Sequence, residues 1–201
     1  GLPAKLKRKP GIDDPETCFR VAHALEGRNH AALSRNDVLA LAWYERGCAL
    51  GSIKCLSAWL SACVHGRVAG PDAALEHVKH FIASGGDVKL IEPDIRKAIR
   101  QIGKAHLEGG GAEADPALAA KWMQVGALLG DFVACFHLGM LYASGRGVTR
   151  DPEVARAWLE KTEAMDSEQI QAVLTGADTT PFTEEAISLA RYERGCARGS
   201  I

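Results

Sequence analysis

Residues Ala134–Trp158 read ACFHLGMLYASGRGVTRDPEVARAW, and about 36 residues upstream Ala98–Trp122 read AIRQIGKAHLEGGGAEADPALAAKW. Both stretches place an Ala, then a Leu/Ile-Gly pair (Leu138-Gly139, Ile102-Gly103), a ring (Tyr142, His106), a Gly (Gly145, Gly109), an Asp-Pro (Asp151-Pro152, Asp115-Pro116) and a Trp (Trp158, Trp122) in one order. The second half recurs as Trp43–Gly51 (WYERGCALG), Arg191–Gly199 (RYERGCARG) and, with His in the Trp place, His77–Gly85 (HVKHFIASG). Equivalent positions are thus 43, 77, 122, 158 and 191, and the long interval after 77 holds an insertion near Asp87–Ile95. The spacing predicts about five units, 15–51, 52–85, 86–130, 131–166 and 167–201, behind a flexible segment 1–14. The terminal units are degenerate, as end repeats usually are.

Each unit reads as two helices. Apolar residues of Phe132–Ala143 recur at helical spacing. Gly145-Arg146-Gly147 ends the first helix, because glycine adopts the left-handed conformation that follows a helix C-terminus. Asp151 offers an N-cap oxygen, and Pro152 suits the first helical position, where an absent N–H costs nothing. The second helix is expected to run through Trp158 to about Met165. Gly139 and Gly103 sit mid-helix, where glycine costs up to about 1 kcal/mol against alanine, so a partner helix should approach closely there.

Composition narrows the function classes. The 201 residues are 47% hydrophobic and 24% charged, which is ordinary for a globular chain. The net charge of −1 argues against a bulk electrostatic nucleic-acid binder. The longest apolar runs are too short for a bilayer-spanning helix. Gly1 is not a natural start and Leu2–Pro10 is too polar for a signal peptide, so an export signal has been removed or never existed. The compartment, periplasmic, secreted or cytoplasmic, stays open.

Ala134–Asp166 resembles the Sel-one-like repeat family, relatives of the tetratricopeptide repeats, through Ala134, Leu138, Gly139, Tyr142, Gly145, Gly147, Val148, Asp151, Ala155 and Trp158. Ala98–Gly130 resembles it with His106 in the Tyr place, and Cys55–Gly85 more distantly, with Trp59-Leu60 for Leu-Gly and Cys63 for Tyr. The resemblance implies an all-α, right-handed α/α superhelix of about five helix pairs. Members mostly act as adaptors that join other proteins, often in bacterial envelope, secretion or signalling systems. By tetratricopeptide geometry the concave face takes Lys54, Ser57 and Ser61 from the second unit, Lys97, Arg100 and Lys104 from the third, and Val133, Phe136 and Met140 from the fourth. Such a trough, basic and then apolar, suits a protein or peptide partner with acidic and apolar parts. The plainer alternative makes the cations an ordinary solvated face and Phe136 and Met140 core.

An exported, cysteine-rich subgroup of the family is stapled by disulfides. By that resemblance Cys48 and Cys55 are candidates for a bridge across the turn between two units, worth about 2–3 kcal/mol for a loop of about eight residues. Alternatively Cys18, Cys48, Cys55, Cys63, Cys135 and Cys196 are all reduced, small buried hydrophobes.

Chemistry-bearing motifs are scarce. His77 and His80 are three apart on one helix without an evident third ligand, so no metal is expected. Gly109-Gly110-Gly111 lacks the Lys-Ser/Thr of a phosphate loop. Asp115 and Asp151 precede proline and read as caps, and Trp43, Trp122 and Trp158 as packing residues. The expected function is therefore a non-catalytic, cofactor-free adaptor. Competing readings are a regulatory repeat domain of a larger protein and a hydrolase of the kind suggested for cysteine-rich relatives, with Ser57 or Ser61 as the nucleophile to test. An apolar flank at the last helix (Ile187, Leu189, Ile201) also allows an end-to-end homodimer.

Overall fold

Short acidic side chains start the helices, and their bonds explain why the chain turns where it does. In this computed structural model, which describes residues 14–26, 35–67, 70–109, 113–176 and 183–198, Asp14 accepts from the Thr17 amide at 2.8 Å and Asp115 from Leu118 at 2.9 Å. Asp151 accepts from Glu153 and Val154, each at 3.1 Å. These oxygens satisfy amides that a helix start leaves bare. The segment 1–14, expected to be flexible, lies outside the described residues except for Asp14.

Ten α-helices and no strand occur among the described residues, the all-α, α/α-repeat class read from the sequence. The chain divides into two units, Gly1–Glu92 and Pro93–Ile201. The first holds α1 (Pro15–Leu25), α2 (Arg35–Ala49), α3 (Ile53–Val64) and α4 (Pro71–Ala83). There α1 packs along α2, and α3 packs on α2 and α4. Cys18, Tyr44, Cys48, Leu56, Trp59, Leu60 and Val78 are all buried. Each large side chain so removed from water contributes about 1.5–3 kcal/mol. The insertion forms a single 3-10 turn, Val88–Leu90, started by Asp87.

The second unit holds α5 (Pro93–Glu108), α6 (Pro116–Leu128), α7 (Phe132–Ser144), α8 (Pro152–Glu160), α9 (Ser167–Thr175) and α10 (Glu184–Ala197). Met123, Leu138 and Leu141 join α6 to α7, and Phe136, Leu159, Ile170 and Ile187 join α7, α8, α9 and α10. The mid-helix glycines have the expected reason. A Cβ at Gly139 would lie 2.7 Å from Leu159 Cγ, and one at Gly103 would lie 3.1 Å from Met123 Cε. Gly147 answers to two demands at once: its φ is +76°, and a Cβ there would meet the Pro116 carbonyl at 2.3 Å.

One helix is shorter than its sequence suggests. The expectation for α8 runs to about Met165, but the helix stops at Glu160. Thr162, fully buried, donates its hydroxyl to the Leu159 carbonyl at 2.6 Å and accepts from the Ala164 amide at 3.1 Å. Glu163 then takes a φ of +55°, which no helix accommodates.

Candidate protein-interaction site

The expected trough residues from the first unit are mostly engaged. Lys54 is exposed, pairs with Glu16 at 2.9 Å and lies 5.6 Å from the centre of the Phe19 ring. Ser57 is buried and donates its hydroxyl to the Glu92 carboxylate, which ties α3 to the segment after the 3-10 turn. Ser61 is half-buried.

In the second unit, several expectations change. Arg100 was expected on an open face, but it is 9% exposed, and its Nε donates to Asp131 Oδ2 at 3.0 Å. The other oxygen of Asp131 accepts from the Val133 and Ala134 amides, each at 3.0 Å. One carboxylate thus caps α7 and holds α5 to it, and the nearly buried Arg100 joins the two helices at the floor of a cleft. Val133 and Phe136 are each 4% exposed and belong to the interior, with Phe136 in the cluster that Ile187 of α10 completes. Met140 is half-buried against the same cluster. Lys104 lies 3.9 Å from Glu108 on its own helix. Of the three cations expected from α5, Lys97 is the one that stands exposed without an ion pair to any described residue.

One cleft of the second unit, of ≈ 380 Å³, lies between α5, α7 and α10. Arg96 and Lys97 come from α5, Phe132 from the first turn of α7, and Ser188 and Arg191 from α10. The Arg191 guanidinium lies 4.6 Å from the Phe132 ring centre, in cation–π range, and its Nε is 3.8 Å from Glu163. Arg96, Phe132 and Arg191 were missed from the sequence. One signal was available: the position that is Trp in three other units is Arg at 191, so α10 cannot pack through that side chain as those helices do.

The cysteines, all among the described residues, are free thiols, so the Cys48–Cys55 bridge is not formed. Cys55 instead directs its Sγ to the Pro15 carbonyl at 3.9 Å. Burial pushes the thiols up, Cys63 to about 12 and Cys135 to about 11, with Cys48 and Cys55 moved the same way. Such thiols are poor nucleophiles at neutral pH. His77 packs edge-on to Trp59 with ring centres 4.6 Å apart, and burial lowers its pKa. His80 bonds the Ala49 carbonyl at 3.0 Å. No group of three potential metal ligands occurs among the described residues, and no described helix is long and apolar enough to cross a membrane.

Comparison with known proteins places these helices. No curated protein matches the chain. Among solved structures, it is similar to a protective antigen of uropathogenic Escherichia coli strains that displays an SLR fold, at 22% identity and a TM-score of 0.35, over 91% of this chain and 38% of that one. It thus spans well under half the length of that antigen. It is also similar to a Sel1 repeat protein from Oxalobacter formigenes (18% identity, TM-score 0.35, 97% of this chain and 75% of that one). Helicobacter pylori cysteine rich protein B is a third (16%, 0.33, 80% and 99%). The Sel1 repeat model matches residues 15–52, 96–131 and 133–167, more than half of the chain, which therefore belongs to the Sel1 repeat family.

Proposed function

We propose that this chain is a non-catalytic scaffold whose second unit holds an acidic, partly apolar segment of a protein partner in the cleft between α5, α7 and α10. Sel1 repeat proteins are generally protein-interaction scaffolds, typically without catalytic activity. The observation that carries the reading is the pairing state of the cleft's cations. Arg96 and Lys97 make no ion pair with any described residue, whereas Arg100 behind them is neutralised by Asp131. Unpaired cations beside an aromatic ring attract carboxylates, and the ring adds apolar contact. The packed helices behind the cleft are ordered before a partner arrives, so binding needs little further ordering of the scaffold. A role in envelope, secretion or toxin-neutralising systems would be one use of such a scaffold.

The test uses the wild-type chain and an Arg96→Glu/Lys97→Glu double variant as baits in extracts of the native host. A partner recovered with the wild type should be lost from the variant, and its capture should weaken as salt rises. An unchanged set of captured proteins, from a variant with an unchanged thermal melt, would remove this cleft from consideration.

A further inference from the structure

The hexapeptide Tyr44-Glu45-Arg46-Gly47-Cys48-Ala49 of α2 recurs letter for letter as Tyr192–Ala197 of α10. The repetition continues through Gly51-Ser52-Ile53 into residues 199–201, which lie outside the described residues. In α2 a single stripe, Ala40, Tyr44, Gly47 and Cys48, is buried. What covers it is plain. Phe19 of α1 packs on Tyr44 with ring centres 6.1 Å apart, and Glu26 accepts from the Tyr44 hydroxyl at 3.0 Å. Over Gly47 lie Cys55 of α3 and Cys18 of α1, so close that a Cβ on the glycine would fall 2.1 Å from Cys55 Sγ and 3.2 Å from Cys18 Cβ.

In α10 the same letters point elsewhere. That helix is seated through Ile187, Ala190 and Arg194: Ile187 is buried, Ala190 packs on the same cluster, and Arg194 bonds Gln169 at 3.0 Å. The stripe equivalent to the buried one in α2 is turned outward. Tyr192 is 57% exposed, Cys196 is exposed and Gly195 is half-buried, with Leu189 exposed alongside. A glycine on an exposed helix costs about 1 kcal/mol against alanine, and its benefit is the close approach of a neighbour. In α2 that neighbour is present.

We propose that the Tyr192–Gly195–Cys196 face of α10 is a docking surface for a helix with the chemistry of α3: one started by a Ser cap, setting a cysteine or similarly small side chain against the glycine, with apolar residues after it. The α2–α3 contact in the first unit is the template for the complex. This face is separate from the cleft, so the proposal does not rest on the scaffold's binding of an acidic segment.

The probe is a synthetic peptide with the sequence Ser52–Gly66, carrying Cys63→Ser and with Cys55 held as a mixed disulfide with cysteamine. The Cys196 thiolate attacks the Cys55 sulfur, forming a protein–peptide disulfide, and cysteamine leaves as the thiol. With the full chain, capture at Cys196 should be at least about tenfold faster than by a scrambled peptide of equal composition, as a bound orientation raises the effective concentration. Gly195→Leu and Tyr192→Glu should each bring the rate down to the scrambled level while leaving the thermal melt in place. Equal rates for the two peptides, rates untouched by both variants, or capture at a different cysteine would overturn the proposal. So would a wild-type dimer dispersed by Tyr192→Glu in sedimentation, which would make a second copy the occupant.

Discussion

Helices α2 and α10 carry one hexapeptide and bury opposite sides of it. In α2, Tyr44 and Cys48 are each 1% exposed, whereas Tyr192 is 57% exposed and Cys196 is a surface thiol. The reverse holds one turn earlier: Leu39 of α2 is 45% exposed, and its counterpart Ile187 is 1% exposed. Local sequence makes both segments helical, but which face becomes interior depends on the elements that arrive beside it. Around α2 these are α1 and α3; around α10 they are α7 and α9.

The sharpest way to break this comparison is a matched pair of truncations. Tyr44→Ala should cost about 3–5 kcal/mol by denaturant unfolding, as for other buried aromatic rings, and Tyr192→Ala should stay within about 0.5 kcal/mol. Similar losses at the two sites would mean that α10 is packed as α2 is. Glycines offer a difference of sign. Gly47→Ala forces a methyl into Cys55 and should destabilise by about 1–3 kcal/mol. Gly195→Ala, on the face that carries the exposed Tyr192 and Cys196, should be neutral or stabilise by up to about 1 kcal/mol.

Thiol chemistry sharpens the contrast further. With a maleimide at neutral pH one cysteine, Cys196, should label rapidly, and the five buried ones should wait for denaturant. Peptide mapping checks the assignment. Because burial raises Cys48, Cys63 and Cys135 in the fold, their contribution to stability is complete below the unfolded thiol pKa of about 8.5. It is lost as pH rises toward 11–12, the values for Cys135 and Cys63. Unfolding scans at pH 8 and pH 10 should therefore show lower stability at the higher pH.

The smallest effect concerns the seat of α10. Asp166 is held below its ordinary value first by the Gln169 amide and then by Arg194. This contribution is present above pH 3.8 and disappears as pH falls through the lower folded value. Hydrogen exchange should show α10 amides losing protection on acidification before those of α2 do. Simultaneous loss in both helices would contradict the distinction.

Much of the fold was readable from the chain. Asp-Pro pairs marked where α6 and α8 begin, and Gly139 announced the close approach of α8, because capping and steric exclusion act within a few residues or at one contact. The interaction site was less legible. Lys97 lines the cleft between α5, α7 and α10. Phe136 followed the repeat register to a nominally open face, yet α9 and α10 cover it. Arg100 looked like a solvated cation until Asp131, far along the chain, closed on it. Both outcomes turn on long-range neighbours that no helix period encodes.

The amino-acid order alone determined that this protein is a series of capped helix pairs with glycines where helices must touch. Those are consequences of backbone hydrogen bonding and side-chain volume over short distances. Only the tertiary structure decided which face of a repeated segment is interior, which arginine is neutralised and where an open cleft remains. Burial and charge pairing depend on what other parts of the chain bring into contact, and two identical hexapeptides with different neighbours therefore end in different environments.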